Sequence, residues 1–278
     1  MVYPRWPTTP KRLVTGGSGV PGQPAPQYTQ AQTQAMCDAY NPAGVYNYCL
    51  DFFGVVLKNG QFYPSFYNLA GNASTNYPGF SPATIAQAVA SAGPGGSIIW
   101  IVEQDNKGVT AATSAAGWNT LAADAGVIAN NIKLVAGGTV AAPGAGSFYN
   151  NFRALITRAP DAIALTAYGG NTDGHAAATT IFNKIQLWKV AWPTVPLWIV
   201  EFGIASATVV ADSIMIDCMT DCVNGFERDR DILRYGWFGN FPPSSPPGLA
   251  FPSCPTNFDD ASERPIGVTY EHAAAVYL

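Results

Sequence analysis

Eight short apolar runs, most of them separated by segments with helical patterning, constrain the fold of this chain more than any other feature. Strict alternation of strand and helix makes neighbouring strands parallel, because each return must cross over through a helix. The runs are continuously apolar, as strands buried on both faces are. The sequence therefore predicts an α/β fold, a single (β/α)8 TIM barrel, with an open doubly wound sheet as the alternative. The predicted strands cover 11–15, 45–50, 62–67, 98–102, 132–136, 162–167, 197–200 and 233–238.

Helices are predicted between these strands from the spacing of apolar residues and from capping residues such as Ser81 and Asp173. Residues 1–10 are rich in proline, and we expect them to be a flexible lead-in to one domain over 11–278. The predicted helices cover 28–40, 82–92, 113–130, 148–156, a segment that follows Asp173, 207–223 and 270–278.

The charge content excludes several classes of partner. Charged residues make up only 12% of the chain and the net charge is −4, with no cluster of Lys or Arg, which argues against nucleic acid. No apolar run reaches the roughly 18 to 20 residues of a membrane span. A surface poor in charge is common in secreted proteins, so we expect an extracellular monomer. Because residues 1–10 contain no apolar signal core, export would depend on a leader that this chain does not include, or on another route.

The cysteine count leaves two interpretations open. Cys37 and Cys49 flank a short loop and could pair, and Cys218 or Cys222 could bridge to Cys254. The alternative is five buried thiols in a reducing compartment. The chain has only two histidines and no Cys-x-x-Cys, so we expect neither a metal site nor a cofactor.

Carboxylates close two of the predicted strands in the same local sequence. The tetrapeptide Trp-Ile-Val-Glu ends at Glu103 and again at Glu201, and the chain has only five glutamates. In parallel barrels, catalytic groups lie where strands end, and a pair of carboxylates there is typical of glycosidic bond hydrolysis. Amides, acids and aromatic rings, the groups that bind sugars, share these positions. The strand-end set is Asp51, Asn68, Glu103, Gln104, Asp105, Tyr168, Glu201 and Trp237.

Each of these residues also has a structural interpretation. A glutamate at a strand end can simply face solvent, although its repetition in a duplicated tetrapeptide makes this less plausible for the pair. Tyr168 and Trp237 could pack at the rim of the barrel, and Asp51 and Asp105 could cap loops.

Three segments carry a resemblance to a known family. Residues 195–203 resemble the nucleophile strand "P-x-W-I-T-E-F-G" of the glycosyl hydrolase catalytic-core proteins, the endo-β-1,3-glucanases of glycoside hydrolase family 128 in clan A. Residues 235–240 are similar to the eighth-strand segment "Y-A-W-F", and residues 164–169 resemble the sixth-strand segment "H-W-Y-G". The resemblance extends loosely over residues 11–278 and is specific at the seventh and eighth strands.

This resemblance implies a role for each matched residue. Glu201 would be the nucleophile and Glu103 the general acid/base. Tyr168 would hydrogen-bond the nucleophile, and Trp237 would form the floor of a sugar subsite. Asn68, Asp51 and Tyr46 are further candidates for substrate binding.

The chain departs from the family at two positions. The family's fourth strand reads "G-F-N-E-P-D", so Val102 stands where clan A places the asparagine that binds the sugar 2-hydroxyl. Thr166 stands in place of the sixth-strand histidine. A neighbour such as Asn68 could supply the missing sugar contact.

These observations predict a retaining hydrolase that cleaves β-1,3-glucan-type polysaccharide or oligosaccharide by double displacement. Two alternatives stay open because the fold does not fix the function. One is a non-catalytic carbohydrate-binding or structural protein that kept the barrel, and the other is a clan A hydrolase that acts on another β-glycan.

Overall fold

The computed structural model describes residues 11–15, 34, 44–47, 61–70, 79–144, 146–170, 172–205 and 210–237. Eight strands form one sheet in which every pairing is parallel, in the order β3-β2-β1-β8-β7-β6-β5-β4. The α/β class and the parallel pairing are therefore confirmed. The strands are β1 (Arg12–Thr15), β2 (Gly44–Asn47), β3 (Gln61–Pro64), β4 (Ser97–Ile99), β5 (Lys133–Gly137), β6 (Ala162–Gly169), β7 (Leu197–Ile204) and β8 (Ile232–Trp237).

Helices separate these strands over most of the described chain. Their first turns are closed by short polar side chains, as at Ser81 and Thr110, whose hydroxyls accept from the backbone N–H three residues later. The helices are α1 (Pro82–Ala92), α2 (Ala111–Ala122), α3 (Ala125–Ala129), α4 (Phe148–Leu155), α5 (Gly174–Ala191) and α6 (Asp212–Arg228).

The helix predicted over 113–130 is wrong as one element, because Asp124 divides it into α2 and α3. The Asp124 carboxylate accepts from the backbone N–H groups of Gly126 and Val127, so it caps a new helix inside the predicted one. The strand predicted over 98–102 is also too long, since β4 ends at Ile99. The helices predicted over 28–40 and 270–278 lie outside the described residues, apart from Gln34, which is helical.

The two faces of the sheet carry different sets of apolar side chains. One set packs against the helices and forms the large core. The other set consists of strand residues and Val102, which follows β4, and we call the face that carries it the inner face. Its members are Tyr63, Ile99, Val102, Val135, Ala162, Ala164, Trp198 and Val200.

The described residues show a much weaker connection between β3 and β4 than between other neighbouring strands. One parallel bridge joins Ser65 to Ile99, and the Phe66 N–H donates to the Ile99 carbonyl at 3.3 Å. By contrast, β6 and β7 are paired at seven positions.

A buried lysine ties the first strand to the end of the chain's last described helix. Lys11 is only 4% exposed, and its Nζ donates to the carbonyls of Phe226 at 2.9 Å and of Asp229 at 3.0 Å. These carbonyls belong to the carboxyl end of α6, where a cation is favourable. Burial lowers the pKa of Lys11 below its usual 10.5, while the charges of Glu227 and Asp229 oppose that shift.

The cysteine predictions have a mixed outcome. Cys218 and Cys222 are both buried free thiols on α6, so a bridge from one of them to Cys254 is not confirmed. Cys37, Cys49 and Cys254 lie outside the described residues. Among the described helices, none combines the length and the apolar character that a membrane crossing needs.

Candidate active site

A β-bulge in β7 turns Glu201 toward the inner face. Along β6 and β7, Leu165 is level with Ile199 but the next residue, Thr166, is level with Glu201, so β7 carries one extra residue at this point. The pairing with β8 shifts over the same stretch. Regular alternation after the inward Val200 would send Glu201 toward the helices. A bulge that re-aims a side chain is common beside active sites.

Tyr168 holds the carboxylate of Glu201. Its hydroxyl donates to Glu201 Oε2 at 2.5 Å, and Glu201 is only 4% exposed. A donor to a buried carboxylate stabilises the ionised form. Glu201 is therefore a largely buried carboxylate in a fixed orientation, at the carboxyl-terminal half of its strand.

Glu103 reaches the same region by a different backbone path. It precedes a short 3-10 turn over Gln104–Asn106 and has φ 55° and ψ 47°, a left-handed conformation that is rare for residues other than glycine. Its side chain is half-buried, and Glu103 Oε1 accepts from the hydroxyl of Thr166 at 2.9 Å.

One strand therefore holds both carboxylates. Thr166 and Tyr168 are two residues apart on β6, so both follow the inward Ala162 and Ala164 on the inner face. Residues two apart on a strand are separated by about 6.6 Å. Because Thr166 contacts Glu103 and Tyr168 contacts Glu201, the two carboxylates lie side by side over one short stretch of β6.

A half-buried cation interacts electrostatically with Glu103. Burial lowers the pKa of the Lys184 ammonium below its usual 10.5, and the charges of Glu103 and Asp105 partly oppose the shift. Lys184 belongs to α5. The Asp105 carboxylate already has two hydrogen-bond donors, the backbone N–H groups of Val140 and Ala141, at 2.8 Å and 3.0 Å.

For the other predicted site residues, the described contacts say less about a role in the site. Asn68 is half-buried beyond the end of β3, and within the described residues its Oδ1 has no hydrogen-bond partner. Trp237 is 2% exposed and packs edge-on against Phe202 with ring centroids 5.1 Å apart, so little of its face is open. The backbone of Tyr46 lies in β2, and Asp51 lies outside the described residues.

Sequence reasoning gave no role to two residues that the structure brings to the site. Thr166 was visible only as a departure from the family, yet its position two residues before Tyr168 in a strand was a signal that both share a face. Lys184 carried no signal, because it lies 81 positions after Glu103 on a helix. Among the described residues, no group of three or more His, Cys, Asp or Glu side chains could hold a metal ion.

The chain belongs to the glycosyl hydrolase catalytic core family. The sequence model of that family matches residues 102–250, more than half of the 278 residues. The chain is a glycosidase by this membership, and the resemblance drawn from its strand motifs is confirmed. Among curated protein sequences, none matches the chain.

Solved structures of similar fold include members of glycoside hydrolase family 128. A subgroup II endo-β-1,3-glucanase from Sorangium cellulosum has a TM-score of 0.71 at 18% identity, covering 95% of this chain and 98% of its own. A subgroup VI exo-β-1,3-glucanase from Aureobasidium namibiae has a TM-score of 0.71 at 13% identity, covering 95% and 96%. A subgroup VII oligosaccharide-binding protein from Cryptococcus neoformans has a TM-score of 0.68 at 15% identity, covering 98% and 96%.

Proposed function

We propose that this protein is a retaining hydrolase of β-1,3-glucan. The observation that carries the proposal is the arrangement on β6, where Thr166 and Tyr168 hold Glu103 and Glu201 side by side. Retaining glycosidases place their two carboxyl groups about 5 Å apart, and inverting enzymes place them farther apart to admit a water. Family membership and the glucanases among the structural neighbours support the substrate class.

In the first step, a Glu201 oxygen attacks the anomeric carbon and the bond from that carbon to the glycosidic oxygen breaks. Glu103 transfers its proton to the departing oxygen, so the leaving sugar ends with a neutral hydroxyl. Tyr168 orients the attacking carboxylate through its hydrogen bond to Oε2. The result is a glycosyl ester on Glu201.

In the second step, water attacks the anomeric carbon of that ester. Glu103, now ionised, accepts the water proton, and the Glu201 carboxylate leaves. Glu103 must therefore work as an acid and then as a base. The Thr166 hydroxyl suits both states, because a hydroxyl can donate to a carboxylate and accept from a carboxylic acid.

The proposal includes a closed (β/α)8 barrel, with the Ser65–Ile99 bridge joining the outermost strands, β3 and β4. Closure would gather the strand ends of β2, β3 and β8 around the carboxylates. Asn68, Tyr46 and Trp237 would then line the sugar-binding cleft together with Asp51. Asn68 has the strongest support, because its Oδ1 is a buried acceptor that a sugar hydroxyl could satisfy.

The test is the hydrolysis of laminarin by wild type and by Glu201→Gln. We expect the substitution to abolish product formation, since an amide cannot form the glycosyl ester, while the melting temperature stays close to that of wild type. The matched control is Glu227→Gln, which alters another glutamate that accepts from a tyrosine, Tyr235, but lies outside the site. Full activity in Glu201→Gln would remove the nucleophile assignment.

The stereochemistry of the product tests the retaining mechanism. Proton NMR during the first minutes should show the β-anomer at the new reducing end before mutarotation, and an α-anomer would indicate inversion. The product sizes from the same reaction distinguish an endo pattern of mixed oligosaccharides from an exo pattern of one short product.

One observation favours an oligosaccharide-binding protein as the second candidate. Val102, which precedes Glu103, is buried among apolar residues of the inner face and cannot bind the sugar 2-hydroxyl. A structural neighbour covering 98% of this chain is an oligosaccharide-binding protein. Calorimetric binding of laminarin oligosaccharides by wild type, without product by chromatography, would support this candidate over hydrolysis.

A further inference from the structure

The backbone at Glu103 is held in a conformation that its sequence does not favour. A side chain at φ 55° brings Cβ close to the following carbonyl, and such residues persist only where the surroundings over-determine them. β4 has already ended at Ile99, so no strand pairing fixes Glu103 itself. Its neighbours must supply the constraint.

The next residue, Gln104, is fully buried and is fixed on both sides. Its backbone N–H donates to the carbonyl of Gly138 at 3.2 Å, and its Nε2 donates to the carbonyl of Gly137. Its Oε1 accepts from the hydroxyl of Ser114 at 2.5 Å. Gln104 therefore connects the end of β5 to α2, with Glu103 at its amino side.

A second side chain extends this network to Trp100, the residue that follows β4. The indole Nε1 of Trp100 donates to the Ser114 hydroxyl at 2.9 Å. The hydrogen bonds then run in one direction, from indole to hydroxyl to amide oxygen, and from the amide nitrogen to the Gly137 carbonyl. Only a side chain with both an acceptor and a donor can stand at position 104, because the serine donates and the carbonyl accepts.

The Gly137 carbonyl is itself in a fixed place. A Cβ at Gly137 would lie 1.9 Å from the carbonyl oxygen of Ile101, so the end of β5 touches the backbone just before Glu103. Hydrogen bonds therefore fix both ends of the segment from Trp100 to Gln104, to Ser114 at one end and to the carbonyls of Gly137 and Gly138 at the other. Between these ends, the backbone of Ile101 packs against Gly137.

We infer that Trp100, Ser114 and Gln104 form a positioning network that holds Glu103 in its left-handed conformation, within reach of the Thr166 hydroxyl and beside Glu201. This inference rests on the proposed function of Glu103 as the acid/base. None of the three touches the substrate in this role, and their effect passes through Glu103. All three are fully buried, so the network is shielded from competing water.

The test compares two substrates that differ in their need for an acid. Laminarin has a poor leaving group and needs the proton from Glu103, whereas a dinitrophenyl β-laminarioligosaccharide has a good leaving group and does not. We expect Gln104→Met, which keeps the volume but removes the network, to lower kcat/KM on laminarin by about 100-fold, the effect of misplacing a catalytic group by roughly 1 Å. On the dinitrophenyl substrate kcat/KM should change less than about threefold, since no acid is needed.

Two tryptophans of the same region provide a matched control. Trp100→Phe and Trp118→Phe each remove one buried indole donor and leave a similar cavity, but the Trp118 Nε1 donates to the Arg158 carbonyl instead. Only Trp100→Phe should show the difference between substrates. Equal losses on both substrates in Gln104→Met, or the same pattern in both tryptophan variants, would overturn the inference in favour of a purely structural role.

A crystal structure of Gln104→Met separates this inference from the proposed function. We expect φ of Glu103 to leave the left-handed region and the contact from Thr166 Oγ1 to Glu103 Oε1 to lengthen from 2.9 Å to beyond hydrogen-bond range. If wild type does not hydrolyse laminarin, the proposed function fails and this structure alone decides the inference. An unchanged φ and an intact Thr166 contact would overturn it.

Discussion

At the scale of single residues, the phenol of Tyr168 is the donor closest to the proposed chemistry. Its hydrogen bond to Glu201 Oε2 is made in a largely buried place, where bonds to charged groups contribute about 1.5–3 kcal/mol. We expect Tyr168→Phe to lower kcat on laminarin by roughly 10- to 100-fold, because the attacking carboxylate loses its orientation. Steady-state kinetics with matched thermal unfolding curves would measure this.

The control for that prediction is Tyr235→Phe. The Tyr235 hydroxyl also donates to a glutamate, Glu227 Oε1, at 2.6 Å, but that pair belongs to the helix-covered side. The same loss of kcat in both variants would show that the effect comes from stability rather than from the site.

Single residues also show how much of the candidate site was visible in the sequence. Glu201 and Glu103 could be predicted as partners from a duplicated tetrapeptide, and Tyr168 from its position at a strand end. The contact between Thr166 and Glu103 could not, because it joins side chains 63 positions apart and depends on the backbone turn at Glu103. The tetrapeptides are identical, yet one lies in a bulged strand and the other leads into a left-handed turn.

At the scale of elements, an exposed ion pair links α5 to α6. His175 Nδ1 lies 2.6 Å from Asp221 Oδ2. The hydrogen bond to Asp221 and the charge of that carboxylate raise the pKa of His175 above its ordinary 6.5. A pKa raised by folding means that the pair contributes stability below about pH 6.5 and loses it as the pH rises through the higher, folded value.

An NMR titration of the His175 ring would measure this shift. We expect the pKa of His175 to lie above 6.5 in wild type and to fall in Asp221→Asn, because the hydrogen-bonding charge is removed. His175→Gln should lower the melting temperature slightly at pH 5.5 and not at pH 9. A pKa that does not change in Asp221→Asn would contradict the assignment to this pair.

The type of each strand could be predicted from the sequence, but its first and last residues could not. All eight strands were expected from apolar runs, and each differs from its expected bounds by one or a few residues. The strand before Glu103 stops early because residues 100–104 bond to side chains and to β5 rather than continuing a ladder with β3. The bulge in β7 left no signal, since an extra residue in a continuously apolar strand preserves its pattern.

At the scale of the whole molecule, the connection between β3 and β4 is the least secured part of the sheet within the described residues. We expect the Phe66 amide, which donates to Ile99 at 3.3 Å, to exchange with solvent at least about tenfold faster than the Trp100 amide, which donates to Val135 at 2.8 Å. Native-state hydrogen exchange would measure both amides, which lie on opposite sides of β4. Equal protection of the two amides would indicate that the connection between β3 and β4 is as stable as the rest of the sheet.

The α/β class was predictable because alternation of strands and helices leaves few topologies. The parallel order and the covering helices followed from that rule. The meeting of Lys11 with the end of α6 did not, because a lysine before a strand carries no signal of a partner more than two hundred residues away.

That lysine sets an order of events during synthesis. Lys11 leaves the ribosome first, but the Phe226 carbonyl that it binds follows 215 residues later, and the β8 edge of β1 has no partner until then. At about 5–20 residues per second, the delay is roughly 10 to 40 s. Throughout that interval the ammonium group must stay hydrated and one edge of β1 stays open to other chains. β1 is thus made long before β8 but gains its second neighbour only when β8 has emerged, so this edge of β1 is a site of aggregation during synthesis.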